Sequence, residues 1–284
     1  MLILGVVMYI NLEQMKQLHT LQLEMFRELK RVLDLLGIRY YFVHGSLLSA
    51  VTTHEFINED DDIDIAIFRA DYQRLLTEGN NVVASGYLIQ NSTNDDFPLS
   101  FAKFRKTDTC FFQPVLRRYT CNKGIYIDIF PIDFVPDAES RFARIRNALL
   151  ESRINSRLDI KRTNKEYGLC FLAHLIYPSY RRAVKRREEV YAGCVHSNFV
   201  SIYGGKSSER RMPFDWFKES VEFPFCELSV VCPRGFEAYL TRIYGSNYSN
   251  INPAESRNAP SGQIEVSASF IDFGAGQCIC TLEK

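Results

Sequence analysis

The run Asn58-Glu59-Asp60-Asp61-Asp62-Ile63-Asp64-Ile65-Ala66-Ile67 limits what this chain can fold into more tightly than any other stretch. Residues 59–64 hold five carboxylates, and the run then passes into alternation, with Ile63, Ile65 and Ile67 set against Asp62, Asp64 and Ala66. A period of two is that of a β-strand, so the isoleucines share one face and Asp62 and Asp64 the other. Like charges gathered at the mouth of an apolar strand repel one another unless a cation joins them. A divalent metal is the natural candidate.

The flanking sequence supplies neighbours for this strand. Residues 12–36 carry Leu12, Met15, Leu18, Met25, Leu29, Val32 and Leu36 at helical spacing, an amphipathic helix that Gly37 ends. Residues 38–43 are β-branched and aromatic, and they run into His44-Gly45-Ser46 and a short apolar helix over 47–51. Downstream, 69–78 reads as a helix, and 87–90 and 99–105 as strands. Residues 123–130 alternate as a further strand, with Asp128 facing away from Ile125, Ile127 and Ile129. Three carboxylates from two strands can therefore converge on one face. Beyond 136 the pattern turns helical, over 138–160 and 183–194, with a basic run from Arg181 to Arg187; a strand at 221–224 and a helix over 234–245 follow.

Composition narrows the function classes. The chain has 284 residues, 46% apolar, enough for one large or two small domains. Its 34 basic and 34 acidic residues cancel, so no global field recruits nucleic acid or an anionic membrane, and any anion site must be local. Residues 1–10 are apolar but about half of membrane-spanning length, without a basic leader, and are expected to form a buried strand, with Met8 an alternative start. A cytoplasmic location is expected. The eight cysteines form no Cys-x-x-Cys pair, so reduced thiols are expected, with a zinc site from distant cysteines left open.

Carboxylates two residues apart on a strand stand about 6.5–7 Å from each other along the backbone, close enough for their side chains to share a metal. Magnesium, or manganese, suits a few carboxylates plus substrate phosphate oxygens. The Gly45-Ser46 turn opens a helix, whose backbone N–H groups and dipole favour an anion such as phosphate. Together these features describe phosphoryl-group transfer.

Gly45-Ser46, then Asp62-Ile63-Asp64, then a strand carrying Asp128 resembles the nucleotidyltransferase superfamily of polymerase beta-like proteins. More narrowly, the chain resembles the LicD family, which includes fukutin-related proteins. The similar stretches are His44 to Val51, Phe56-Ile57, Asp60 to Ile65, Phe101 to Thr109, Ile127 to Asp133 and Tyr239 to Gly245, a span of about 24–257. The resemblance implies an α+β fold: a polymerase beta-like core, a mixed sheet flanked by helices, with a helical insertion and a C-terminal extension. It implies a single domain over 1–284, with the core at 12–136, a mainly helical part at 137–220, the last family segment at 221–260 and an unassigned tail at 261–284. The implied activity moves a phospho-alcohol, such as phosphocholine, from a cytidine diphosphate-linked donor to a hydroxyl of a cell-surface glycan or lipid-linked precursor. In it Asp62 and Asp64 hold magnesium, Asp128 completes the metal set or takes the acceptor proton, Gly45 and Ser46 cradle phosphate, and Lys103 and Arg105 neutralise phosphate oxygens. Where related chains carry histidines after Arg257, this one has Asn258-Ala259-Pro260.

Simpler readings stand beside these. Residues 60–64 could be a solvated or calcium-binding loop, though the glycine and closing glutamate of a calcium loop are absent. Asp128, Lys103 and Arg105 could be surface residues on a half-exposed strand. His44 and His54 suit structural roles, and Asp133 could support the turn before Pro136. The basic run is most simply a solvated helix face, or else it meets an anionic lipid-linked acceptor or the inner membrane leaflet. The same aspartates would also serve a true nucleotidyltransferase, and a non-catalytic nucleotide-binding protein on the same fold is the rival from another class.

Overall fold

The computed structural model describes residues 12–250 except 58–59, 112, 114–115, 117, 139, 159, 161 and 203–210. The expectations for residues 1–11, for Asn58 and Glu59, and for 251–284 with Cys278 and Cys280 lie outside the described residues.

Helix α1 (Leu12–Leu35) ends as its glycine requires. Gly37 takes φ +62, and the Ile38 N–H returns to the Leu33 carbonyl at 2.8 Å, closing the last turn. The next elements are β1 (Tyr41–Phe42), α2 (His44–Thr52), β2 (Asp64–Phe68), α3 (Arg69–Glu78), β3 (Tyr87–Gln90), β4 (Ala102–Lys106) and β5 (Tyr126–Val135). Helices α4 (Arg141–Asn155), α5 (Asn164–Ile176) and α6 (Tyr180–Ala192) come next. The chain then forms β6 (Phe199–Ile202), β7 (Met212–Pro213), α7 (Asp215–Lys218), β8 (Ser220–Phe225), β9 (Leu228–Pro233) and α8 (Phe236–Tyr244).

Among the described residues seven strands form one mixed sheet in the order β1-β2-β5-β4-β3, with β6 and β7 continuing from β5. Strands β2 and β5 are parallel, and the other pairs are antiparallel. Ile63, Ile65, Ile67, Ile127 and Ile129 are fully buried in one cluster with Leu18, Met25 and Leu29 of α1, so helices cover the isoleucine face. The result is a mixed α+β structure with helix-flanked sheet.

Several elements depart from the sequence expectation. Most of 38–43 is not strand, and β5 runs five residues past 130, straight through Pro131. Proline fits because β4 stops pairing at Ile129 and β6 starts at Ile132, leaving position 131 between them, where no N–H is needed. Asp133 does not merely support a turn. It is buried and grips Arg69 through two hydrogen bonds of 2.7 Å, while Arg69 also meets Glu188 at 2.9 Å. This ion-paired cluster ties α3 to β5 and α6. Helix α5 has no counterpart in the sequence pattern, because it lacks a polar side from which a helical period could be read.

Candidate functional site

The sheet register builds the site. Asp64 lies opposite Asp128 across the parallel β2–β5 pair, Asp128 lies opposite Lys103 of β4, and Lys103 opposite Gln90 of β3. One polar row thus crosses four strands. Asp62 stands just ahead of β2 rather than inside it, yet ligand atoms of Asp62, Asp64 and Asp128 all lie within 4.8 Å of one another. Asp60, Asp61 and Asp62 form a second such group, in which Asp60 and Asp61 are buried.

Neighbouring elements hold this acidic loop by its backbone. From α1, Gln22 donates to the Asp61 carbonyl at 2.7 Å, and His19 Nε2 pairs with the Asp60 carbonyl at 2.7 Å while stacking on Phe56. Ser46 is buried, and its hydroxyl accepts the Asp64 N–H at 2.8 Å, while the Val43 N–H donates to the Asp64 carbonyl. Asp64 is therefore fixed on both sides by the turn that opens α2. Gly45 has its own reason: a Cβ there would stand 2.6 Å from Asp60 Oδ2, so only glycine lets the Asp60 carboxylate lie at the amino end of α2, where the helix dipole favours an anion. His44 adopts φ +51, donates its N–H to the Tyr239 hydroxyl of α8, meets Phe130 edge-on, and places Nδ1 3.5 Å from Asp64 Oδ2.

Lys103 is 1% exposed, and its ammonium binds Asp128 Oδ1 at 2.5 Å and sits 3.3 Å over the Tyr126 ring. Arg105 has no exposed surface. It donates to Gln90 Oε1 and the Gly124 carbonyl, and its Nη2 is buried without a partner among the described residues. Both cations share the Asp128 side of the sheet, as the two-residue period requires, but they lie inside the protein and not on an exposed strand face.

Electrostatics follow from this crowding. Burial, and then the charges of Asp64, Asp61, Asp60 and Asp128, push the Asp62 carboxyl well above its usual range. Burial also pushes Asp128 up to about 6, opposed by Lys103. The Lys103 ammonium is pulled down by burial, against the attraction of Asp128. Repulsion that protons relieve here is repulsion that a divalent cation would relieve more strongly. The donor set fits a hard, oxygen-seeking ion: carboxylates only, converging on one point. An acidic cluster that could hold a metal is thus present.

Sequence reasoning missed His19, Gln22, Tyr126 and Tyr239. Tyr126 was legible as the residue two before Asp128, on the same strand face. Nothing local marks the other three, because each reaches the site from an element distant in sequence.

Residues 37–154 match the family described as LicD/FKTN/FKRP, nucleotidyltransferase domain. Residues 37–154 are thus similar to this family. That segment starts at the glycine ending α1 and runs into α4, and it is shorter than the 24–257 expected from the sequence resemblance. It contains Gly45, Ser46, Asp62, Asp64, Lys103, Arg105 and Asp128. His19 and Gln22 of α1 and Tyr239 of α8 support the acidic cluster from outside that segment. No curated protein matches the chain. Similarity to that family points to a transferase, and among the described residues no helix is long and apolar enough to cross a membrane.

Proposed function

We propose that this chain is a metal-dependent phosphotransferase, moving a phospho-alcohol from a cytidine diphosphate-linked donor to a hydroxyl of a cell-surface glycan or its lipid-linked precursor on the cytoplasmic side. The observation that carries the proposal is the convergence of Asp62, Asp64 and Asp128 within 4.8 Å, in a segment that matches the LicD family. Magnesium or manganese held by these three would offset the charge of the donor diphosphate, so that a hydroxyl can approach phosphorus.

The chain's own residues divide the remaining work. Lys103 holds Asp128 in place and compensates its charge, leaving Asp62 and Asp64 as the uncompensated carboxylates. Asp128 completes this metal set or, where it is not a ligand, takes the proton of the acceptor hydroxyl. Gly45 leaves room for the Asp60 carboxylate at the amino end of α2 and Ser46 holds the Asp64 backbone, so this turn positions the acidic set. Arg105, fully interior, acts through Tyr126 and Gln90 and adds positive potential behind the row.

A thermal-shift panel of cytidine diphosphate choline, ribitol, glycerol and ethanolamine tests the proposal. One donor should raise the melting temperature only when magnesium or manganese is present. Stabilisation that ignores the metal, or that is the same for every nucleotide diphosphate, would count against it.

A further inference from the structure

Helix α5 turns an apolar surface outward. Residues 167–176 contain no Asp, Glu, Lys or Arg, and Tyr167, Phe171, Leu172, Leu175 and Ile176 are 57, 69, 46, 65 and 50% exposed. At 3.6 residues per turn these side chains, with Leu169, sweep about 200° of the helix. The helix touches its neighbours from the remaining arc, where Ala173 is buried and Cys170 meets Ser152 of α4 at 3.2 Å. Thirteen residues span about 20 Å, short of the roughly 30 Å hydrocarbon layer, so α5 can lie along a membrane but not through it.

The charge around α5 says what such a face would meet. Residues 141–192 hold thirteen Lys and Arg against five Asp and Glu, an excess of eight in a chain whose net charge is zero. Exposed Arg181, Arg182 and Lys185 follow α5 directly and form no ion pair with any described residue, and exposed Lys165 stands at its start. The one acid of its first turn, Glu166, is turned back to the Thr163 backbone in a capping box. An apolar stripe whose flanking sequence carries unpaired cations suits the boundary between acyl chains and anionic headgroups.

We propose that α5 docks this protein on an anionic membrane leaflet, seating Phe171, Leu172, Leu175 and Ile176 at the acyl boundary and Lys165, Arg181, Arg182 and Lys185 on the headgroups. A cavity of about 600 Å³ is lined by Arg144, Asn147 and Glu151 of α4, Tyr191 of α6, and Phe101, whose ring lies 4.5 Å from Phe130 in the strand of Asp128.

Co-sedimentation of the full chain with vesicles tests the proposal without any donor or turnover, so it stands or falls apart from the phosphotransferase reading. The chain should bind equimolar phosphatidylglycerol–phosphatidylcholine vesicles at least ~10-fold more tightly than pure phosphatidylcholine, with affinity falling as salt rises. Phe171→Glu with Leu175→Glu should weaken that binding at least ~10-fold at an unchanged melting temperature, since both side chains are already exposed. Arg181→Glu with Arg182→Glu should weaken it and flatten the salt dependence. Absence of binding to anionic vesicles overturns the proposal, as does binding that survives both double variants. A sedimentation-velocity dimer that the Phe171 and Leu175 substitutions dissolve, without vesicle binding, would assign the face to a second copy instead.

Discussion

Replacing Asp62 by Asn should stabilise the metal-free protein while removing its function. Two unit charges 4.8 Å apart repel by about 3.5 kcal/mol at an effective dielectric of 20, and Asp62 has two such neighbours in Asp64 and Asp128. Lys103 compensates Asp128, and proton uptake by Asp62 already relieves part of the rest, so about 2 kcal/mol is expected to remain. For a chain of this size that corresponds to roughly 4–8 °C in melting temperature. Asn keeps the shape and removes the charge. Differential scanning calorimetry in chelator should therefore show Asp62→Asn melting several degrees above the native protein. Magnesium at ten times its dissociation constant should raise the native protein by about 1.4 kcal/mol and the variant by almost nothing. A variant that melts at or below the native protein in chelator would refute the idea of an electrostatically strained, cation-seeking site.

Further outcomes follow from the same geometry. Lys103→Met leaves the Asp128 carboxylate buried without its cation and should cost about 3–5 kcal/mol in denaturant unfolding, far more than a surface lysine. Gly45→Ala should lower metal affinity measured by calorimetry, because the new methyl meets the Asp60 carboxylate and must push the acidic loop away. Arg69→Met should cost about 3–5 kcal/mol by stranding Asp133, with no direct effect on metal affinity. With its carboxyl raised from 3.8 to about 6, Asp128 holds more protons folded than unfolded between those values. Its contribution to metal-free stability therefore grows as pH falls through about 6, while manganese affinity declines over the same window; a pH-independent affinity would contradict this.

The sequence makes the central pair legible because strand alternation is a local signal. Asp62 and Asp64 share a face by period, Asp128 opposes its isoleucines by the same rule, and the β2–β5 register then sets Asp64 beside Asp128. Helix α3 and strand β3 match their expected spans, because an apolar period and flanking turns mark both. What the sequence hides is long-range or unpatterned. The burial of Lys103 and Arg105 depends on which elements cover the β4 face, which the two-residue period does not state. Ser46 looks like a phosphate ligand in isolation, and only the fold reveals that its hydroxyl holds the Asp64 backbone. Helix α5 escaped because its outward side is as apolar as a core, so its exposure and its sequence point in opposite directions.

Label partition tests the functional proposal most directly. With cytidine diphosphate choline labelled separately on choline and on cytidine, magnesium and a glycan acceptor, the choline label should enter the acceptor and the cytidine label should leave as the monophosphate. The Asp62→Asn and Asp64→Asn variants should move neither. Cytidine label in the acceptor would make the protein a nucleotidyltransferase, and transfer that survives both substitutions would remove the carboxylate site from the chemistry altogether.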